Sequence, residues 1–135
     1  MAPMAISSRH IDVRISRPAQ PVYDYVSVPS NLPAWAPGLC DRVEEVDGEW
    51  VASSPMGRIV LKFAPRNDFG VADHEVTLAD GQSFYNPLRV LPDGDECEVV
   101  FTLRRLDGVT DEEFERDAAA VGSDLARLKS LLEKA

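Results

Sequence analysis

His74 is the residue of this chain best suited to acid-base chemistry. Only two histidines occur, and the other, His10, falls on the polar phase of its strand, where water solvates it. The surrounding stretch, "FGVADHEVTLADGQSFYNPLRV", alternates like two strands joined by a turn and puts His74 on the apolar phase. A histidine held near neutral pKa can act as general acid or base on an enolisable carbonyl, the proton transfer that an aldol-type cyclisation and dehydration requires. Asn86, on the next strand, can orient the imidazole or polarise a substrate carbonyl as an oxyanion donor does. The same pair has a structural reading. A histidine and an asparagine facing each other in an apolar wall can satisfy one another and remove an unpaired-polar penalty of about 1–3 kcal/mol.

Other chemistries find no support. Cys40 and Cys97 lie far apart, lack a C-x-x-C partner and cannot complete a zinc site with only two histidines, so they read as free thiols of a reducing compartment. "SSPMG" lacks the flanking glycines of a nucleophile elbow, and no glycine-rich phosphate loop is present. Asp111, Glu112, Glu113 and Glu115 crowd together, but at a helix start, where capping and the helix dipole account for them. No metal and no cofactor are therefore expected. The chain has 14 basic and 23 acidic residues, a net charge of −9, which repels phosphate backbones and anionic lipid and argues against a nucleic-acid partner. No apolar run approaches the ~20 residues that span a bilayer, and "MAPMAISSRHIDV" has no secretory-signal pattern, so a cytoplasmic protein without membrane insertion is expected.

The elements that must position His74 and Asn86 follow from periodicity. At 135 residues, without repeats or linkers, the chain fits one domain, residues 1–135. "RHIDVRIS" alternates as a half-buried strand; Pro18 and Pro21 then suit helix starts and Pro29 and Pro33 helix breaks, which predicts two short helices. From about 40 to 105 the chain reads as strands, and "VDGEW", "LADGQ" and "LPDGDE" each carry the Asp-Gly of a tight hairpin. The expected result is a curved antiparallel meander of about seven strands. Thr110 and Glu113 then form a capping box, and Phe114, Ala118, Val121, Leu125, Leu128 and Leu132 make one apolar stripe on a long helix that needs a sheet to lie on.

Turn chemistry fixes an expected register. A two-residue Asp93-Gly94 turn pairs Val90 with Cys97, Leu88 with Val99 and Asn86 with Phe101; a three-residue turn with Gly81 left-handed pairs Val76 with Phe84 and His74 with Asn86. The inward face then carries Ile59, Leu61, Phe63, Ala72, Val76, Phe84, Leu88, Val90, Val99, Phe101 and Leu103, interrupted by His74 and Asn86. Asp73, Glu75, Arg89 and Glu98 fall on the outward face, in water.

This order of elements resembles the helix-grip fold of the START-like superfamily, also called SRPBCC. "PAQPVYDYVSVPSNLPAW", "DHEVTLADG", "YNPLRV" and "DEEFERDAAAVGSDLARLKSLLEK" are similar in wording to its bacterial polyketide cyclase/dehydrase branch. The resemblance implies an α+β domain whose sheet grips the long helix around a deep apolar cavity that takes an apolar or aromatic small molecule. Its expected wall is His74 and Asn86 with Leu61, Phe63, Phe84, Leu88 and Phe101 from the sheet, Tyr23, Trp35, Leu39 and Met56 near the short helices, and Phe114, Ala118 and Val121 from the long helix. The superfamily shares no catalytic motif, so the resemblance transfers no catalytic residue. Three functions are open at this stage. One is a small-molecule-binding domain; another is a cyclase or dehydratase with His74 as acid/base and Asn86 as its partner. The third is a homodimer built on the outward sheet face with a vestigial pocket.

Overall fold

The structure, a computed structural model, describes residues 5–134, so the first four residues of the stretch read against a secretory signal lie outside it. The chain opens with strand β1 (Ala5–Ile15), helix α1 (Ala19–Val26), a 3₁₀ turn (Pro29–Asn31) and helix α2 (Leu32–Trp35). Seven more strands follow: β2 (Arg42–Val46), β3 (Glu49–Ser54), β4 (Gly57–Phe63), β5 (His74–Leu78), β6 (Ser83–Asn86), β7 (Leu88–Asp93) and β8 (Glu96–Leu106). Helix α3 (Asp111–Glu133) comes last, opened by the Thr110 and Glu113 capping box. All pairing is antiparallel, in the orders β1-β8-β7 and β2-β3-β4-β5-β6.

Eight strands appear in place of about seven because "SFYNPLRVL" is cut at Pro87 into β6 and β7. Proline has no N–H for the ladder. Its carbonyl still accepts from the Thr102 N–H (3.0 Å), the last backbone link between this strand and β8 before β6 turns away. The register that sets Leu88 opposite Phe101 would, if continued, set Tyr85 opposite Arg104, yet β6 pairs with β5 alone. The two sheets are thus one curved surface with a slot between β6 and the end of β8. On the other side of the cut, Val71 bridges Arg89, Ala72 donates to the Leu88 carbonyl (2.8 Å) and Gly70 accepts from Val90 (2.9 Å). Glycine is required at 70, where φ is +71° and a Cβ would meet the Val90 carbonyl oxygen at 2.3 Å.

Two hairpins match the expected turns. Asp47 and Gly48 both have positive φ, as a type I′ turn demands, and Gly81 is left-handed in the three-residue turn that pairs Val76 with Phe84 and His74 with Asn86. The third is corrected. Gly94 takes the first turn position with φ +62° and Asp95 the second, so Val90 pairs with Val99 and Leu88 with Phe101. Asn86 correspondingly has no partner on β8. The slip is two residues, and because side chains alternate with period two, every residue keeps its face.

The core gathers Ile15, Ile59, Leu61, Val76, Leu88, Val90 and Val99 from the sheet with Val22, Val26, Leu32 and Trp35 from the short helices. From α3 it takes only the second half, through Leu125 and Leu128. The first half of α3 stands over the slot instead.

Candidate functional site

A pocket of about 380 Å³ lies where the first half of α3 crosses the slot. Phe84 and Asn86 from β6, Phe101 from β8, and Phe114 and Val121 from α3 form its walls, with Leu39 and Met56 beside them. It is also lined by Ser83, Tyr85 and Arg104, which alternate with the inward residues of the same strands, so the pocket runs through the sheet as well as along it. This composition, mostly apolar with a few polar groups, is that of a small-molecule site.

Several residues expected in the wall are elsewhere. His74 is 2 % exposed and lies behind the pocket, stacked on Phe63 (centroids 4.7 Å apart, planes 18°) and tilted against Phe101 (6.3 Å). Its Nδ1 donates to the Ala72 carbonyl (3.2 Å), so its polar partner is backbone, and no hydrogen bond joins it to Asn86 although the two are cross-strand neighbours. Burial pulls its pKa down, which fixes a neutral ring. Phe63 is held as the other half of that stack. Leu61 and Leu88 are sealed in the core. Tyr23 is buried and its hydroxyl accepts from the Asn67 N–H (3.0 Å) while Arg66 lies over its ring (5.2 Å), so it anchors the loop that leads to Gly70. Trp35 is a core plug whose Nε1 has no partner among the described residues.

Ala118 misses the pocket for a geometric reason. At 100° per residue, the pocket-facing set Phe114, Asp117, Ala120, Val121 and Asp124 is rotated by roughly 60° from the apolar stripe, and Ala118 sits on the far side of that stripe. The same rotation brings in two carboxylates that the apolar pattern gave no reason to select. Asp117 makes no hydrogen bond or ion pair among the described residues, while Asp124 is approached by Arg127 at 3.2 Å. Burial pushes both carboxyl groups above the usual range, against the opposing charges of Arg116 and Arg127 respectively. Acids spaced i and i+7 beside an apolar stripe were the available signal.

Asp73 is a second correction. It was expected in water on the outward face but is 3 % exposed. Its carboxylate accepts from Arg89 Nε and Nη2 (2.8 Å each), the Tyr85 hydroxyl (2.6 Å) and the Leu88 N–H (2.9 Å). Burial alone would raise this carboxyl, but those donors outweigh it and hold the pKa at about 2. The cluster ties β5 to residues on both sides of Pro87, so it fixes the cut from which the slot opens.

Among the described residues no group of histidine, cysteine and acidic side chains could hold a metal, and no helix is long and apolar enough to cross a membrane. No family model and no curated protein matches the chain. Solved structures do. XoxI from Bacillus cereus is 14 % identical with a TM-score of 0.71 over 93 % of this chain and 95 % of that one. Norcoclaurine synthase from Thalictrum flavum, in complex with dopamine and hydroxybenzaldehyde, is 16 % identical with a TM-score of 0.63 over 95 % and 87 %. The di-domain ARO/CYC BexL, from the BE-7585A biosynthetic pathway, is 17 % identical with a TM-score of 0.68 over 95 % of this chain and 47 % of BexL. Identities this low speak to architecture. Strand order, the cut sheet and the long helix laid across it together give this chain the helix-grip fold of the START-like, or SRPBCC, superfamily.

Proposed function

We propose that the chain is a small-molecule-binding domain whose pocket under α3 takes an apolar or aromatic ligand. The observation that carries this reading is the convergence of three aromatic rings, Phe84, Phe101 and Phe114, from two strands and the helix onto one open pocket of about 380 Å³. Asn86 is the neutral side-chain amide among them and supplies a donor and an acceptor to orient what binds. The norcoclaurine synthase complex supports the reading by fold analogy alone, since its two bound molecules are small aromatics. The enzymatic alternative is weaker here. An acid/base has to reach the proton it moves, and His74 is buried behind Phe63 with Nδ1 engaged by the Ala72 carbonyl.

The test uses N-phenyl-1-naphthylamine, a neutral dye that brightens in apolar surroundings. Its emission is expected to rise on binding the full chain, and an Ala120→Trp variant, which places an indole at the pocket wall without touching the core, is expected to abolish the rise. No enhancement, or enhancement indifferent to that substitution, would sink the proposal.

A further inference from the structure

We propose that the ligand of this pocket is a cation, an apolar or aromatic body bearing an ammonium group that Asp117 and Asp124 receive. The inference rests on the pocket being a binding site and adds the charge of what it holds.

The helix face over the pocket reads Phe114, Asp117, Ala120, Val121, Asp124, so two carboxylates stand in a wall that is otherwise small or apolar. At 1.5 Å per residue their Cα atoms are about 10 Å apart, which brackets the pocket along its length. Neither is there for helix stability, since the dipole favours acids in the first turn, and Asp111, Glu112 and Glu113 already fill it. Compensation by the chain itself is incomplete. Arg127 meets Asp124 at the end-on distance of 3.2 Å, and Arg116 is directed to Glu112 (3.6 Å), which leaves Asp117 without a partner. Arg104 is the cation on the opposite wall, but it lies on the outward phase of β8 and is exposed, so water solvates it. Burial already disfavours the charged form of both aspartates, and an occupant that displaces more water deepens that penalty unless it carries the opposite charge.

A neutral apolar ligand therefore works against the two acids, an anionic one is repelled by them, and a cationic one is attracted. The net charge of −9 acts in the same direction at long range.

Three probes of matched shape separate these cases: 2-(1-naphthyl)ethylamine, 2-(1-naphthyl)ethanol and 1-naphthylacetate, titrated calorimetrically at neutral pH into the parent, an Asp117→Asn/Asp124→Asn double variant and Ala120→Trp. The amine is expected to bind about tenfold more tightly than the alcohol, as two partly solvated ion pairs allow, with the acetate weakest. In the double variant the amine is expected to fall to the alcohol's affinity. If the alcohol binds the parent as tightly as the amine, and Ala120→Trp abolishes both, the cation inference is overturned while the pocket reading stands. A preference for amine that survives in the double variant overturns it too. Should all three probes bind parent and Ala120→Trp alike, the pocket reading falls and takes this inference with it.

Discussion

Two sets of carboxylates in this chain are drawn away from water, and they shift in opposite directions. Asp73, on the strand that meets Pro87, is held at about 2, while Asp117 and Asp124, on the helix above the slot, are pushed up. Withdrawal from water acts on all three, so burial is not the difference. Partners are. Asp73 accepts from an arginine fork, a hydroxyl and a backbone N–H, whereas Asp124 has one arginine beside it and Asp117 none. A buried charge with its acceptors filled belongs to the framework, and one with acceptors to spare belongs to whatever enters the pocket.

The contrast is broken most severely at Asp73. Asp73→Ala leaves the Leu88 N–H and the Tyr85 hydroxyl without their acceptor and Arg89 without its counter-charge, and is expected to destabilise the fold by about 3 kcal/mol in urea unfolding. Acid should reveal the same group. A carboxyl whose pKa is depressed by folding contributes fully above its ordinary value of 3.8 and loses that contribution as pH falls through about 2, so about 2 kcal/mol is expected to disappear across that window. Asp73→Asn should flatten this part of the acid-unfolding curve; an unchanged curve would show that the cluster is not what holds the cut.

Smaller substitutions on α3 sharpen the other side. Gly122 lies between Asp117 and Asp124, in mid-helix, with nothing within 4 Å of where a Cβ would be. Gly122→Ala is expected to add up to about 1 kcal/mol of stability, read as a raised thermal midpoint. Asp117→Asn is expected to change stability by less than about 0.5 kcal/mol, with the sign stabilising, because the ionised side chain gains nothing from the folded chain that the amide lacks. The raised pKa gives that sign. Its folded-state penalty is absent below the ordinary carboxylate range and sets in as pH rises through the folded value, so the gain should be seen at neutral pH and vanish in acid. A loss comparable to that of Asp73→Ala would erase the distinction between the two sets.

What the sequence could announce depended on whether a residue follows its own element's period. Ile59, Leu61 and Val76 alternate on schedule and are buried on schedule, and the Gly81 turn fixed His74 opposite Asn86. The Gly94 turn misled by two residues because a glycine can take either central position, yet the error was even and no side chain changed face. Asp73 escaped because its covering comes from long side chains on neighbouring strands, Arg89 and Tyr85, and alternation says only which face a residue is on, not what lies over it. Asp117 and Asp124 escaped because the apolar stripe was taken as the whole inward face of α3. The helix has two inward faces, one toward the core and one toward the slot. The partner of His74 was hidden for a third reason: a backbone carbonyl, Ala72, is available at every position and leaves no trace in residue type.

The missing N–H at Pro87 has a consequence in time as well as in space. Ladder protons in a sheet normally open to solvent with the sheet as a whole, but the facing amides of Tyr85 and Arg104, past the end of the pairing, have no strand to close them. In deuterated water they should trade their protons quickly while Val99 and Val76, a few residues away, hold theirs, a bright gap in an otherwise slow sheet. An occupant lodged between the two strands would slow those sites first, so the proline that interrupts the ladder also gives the empty and filled states different clocks.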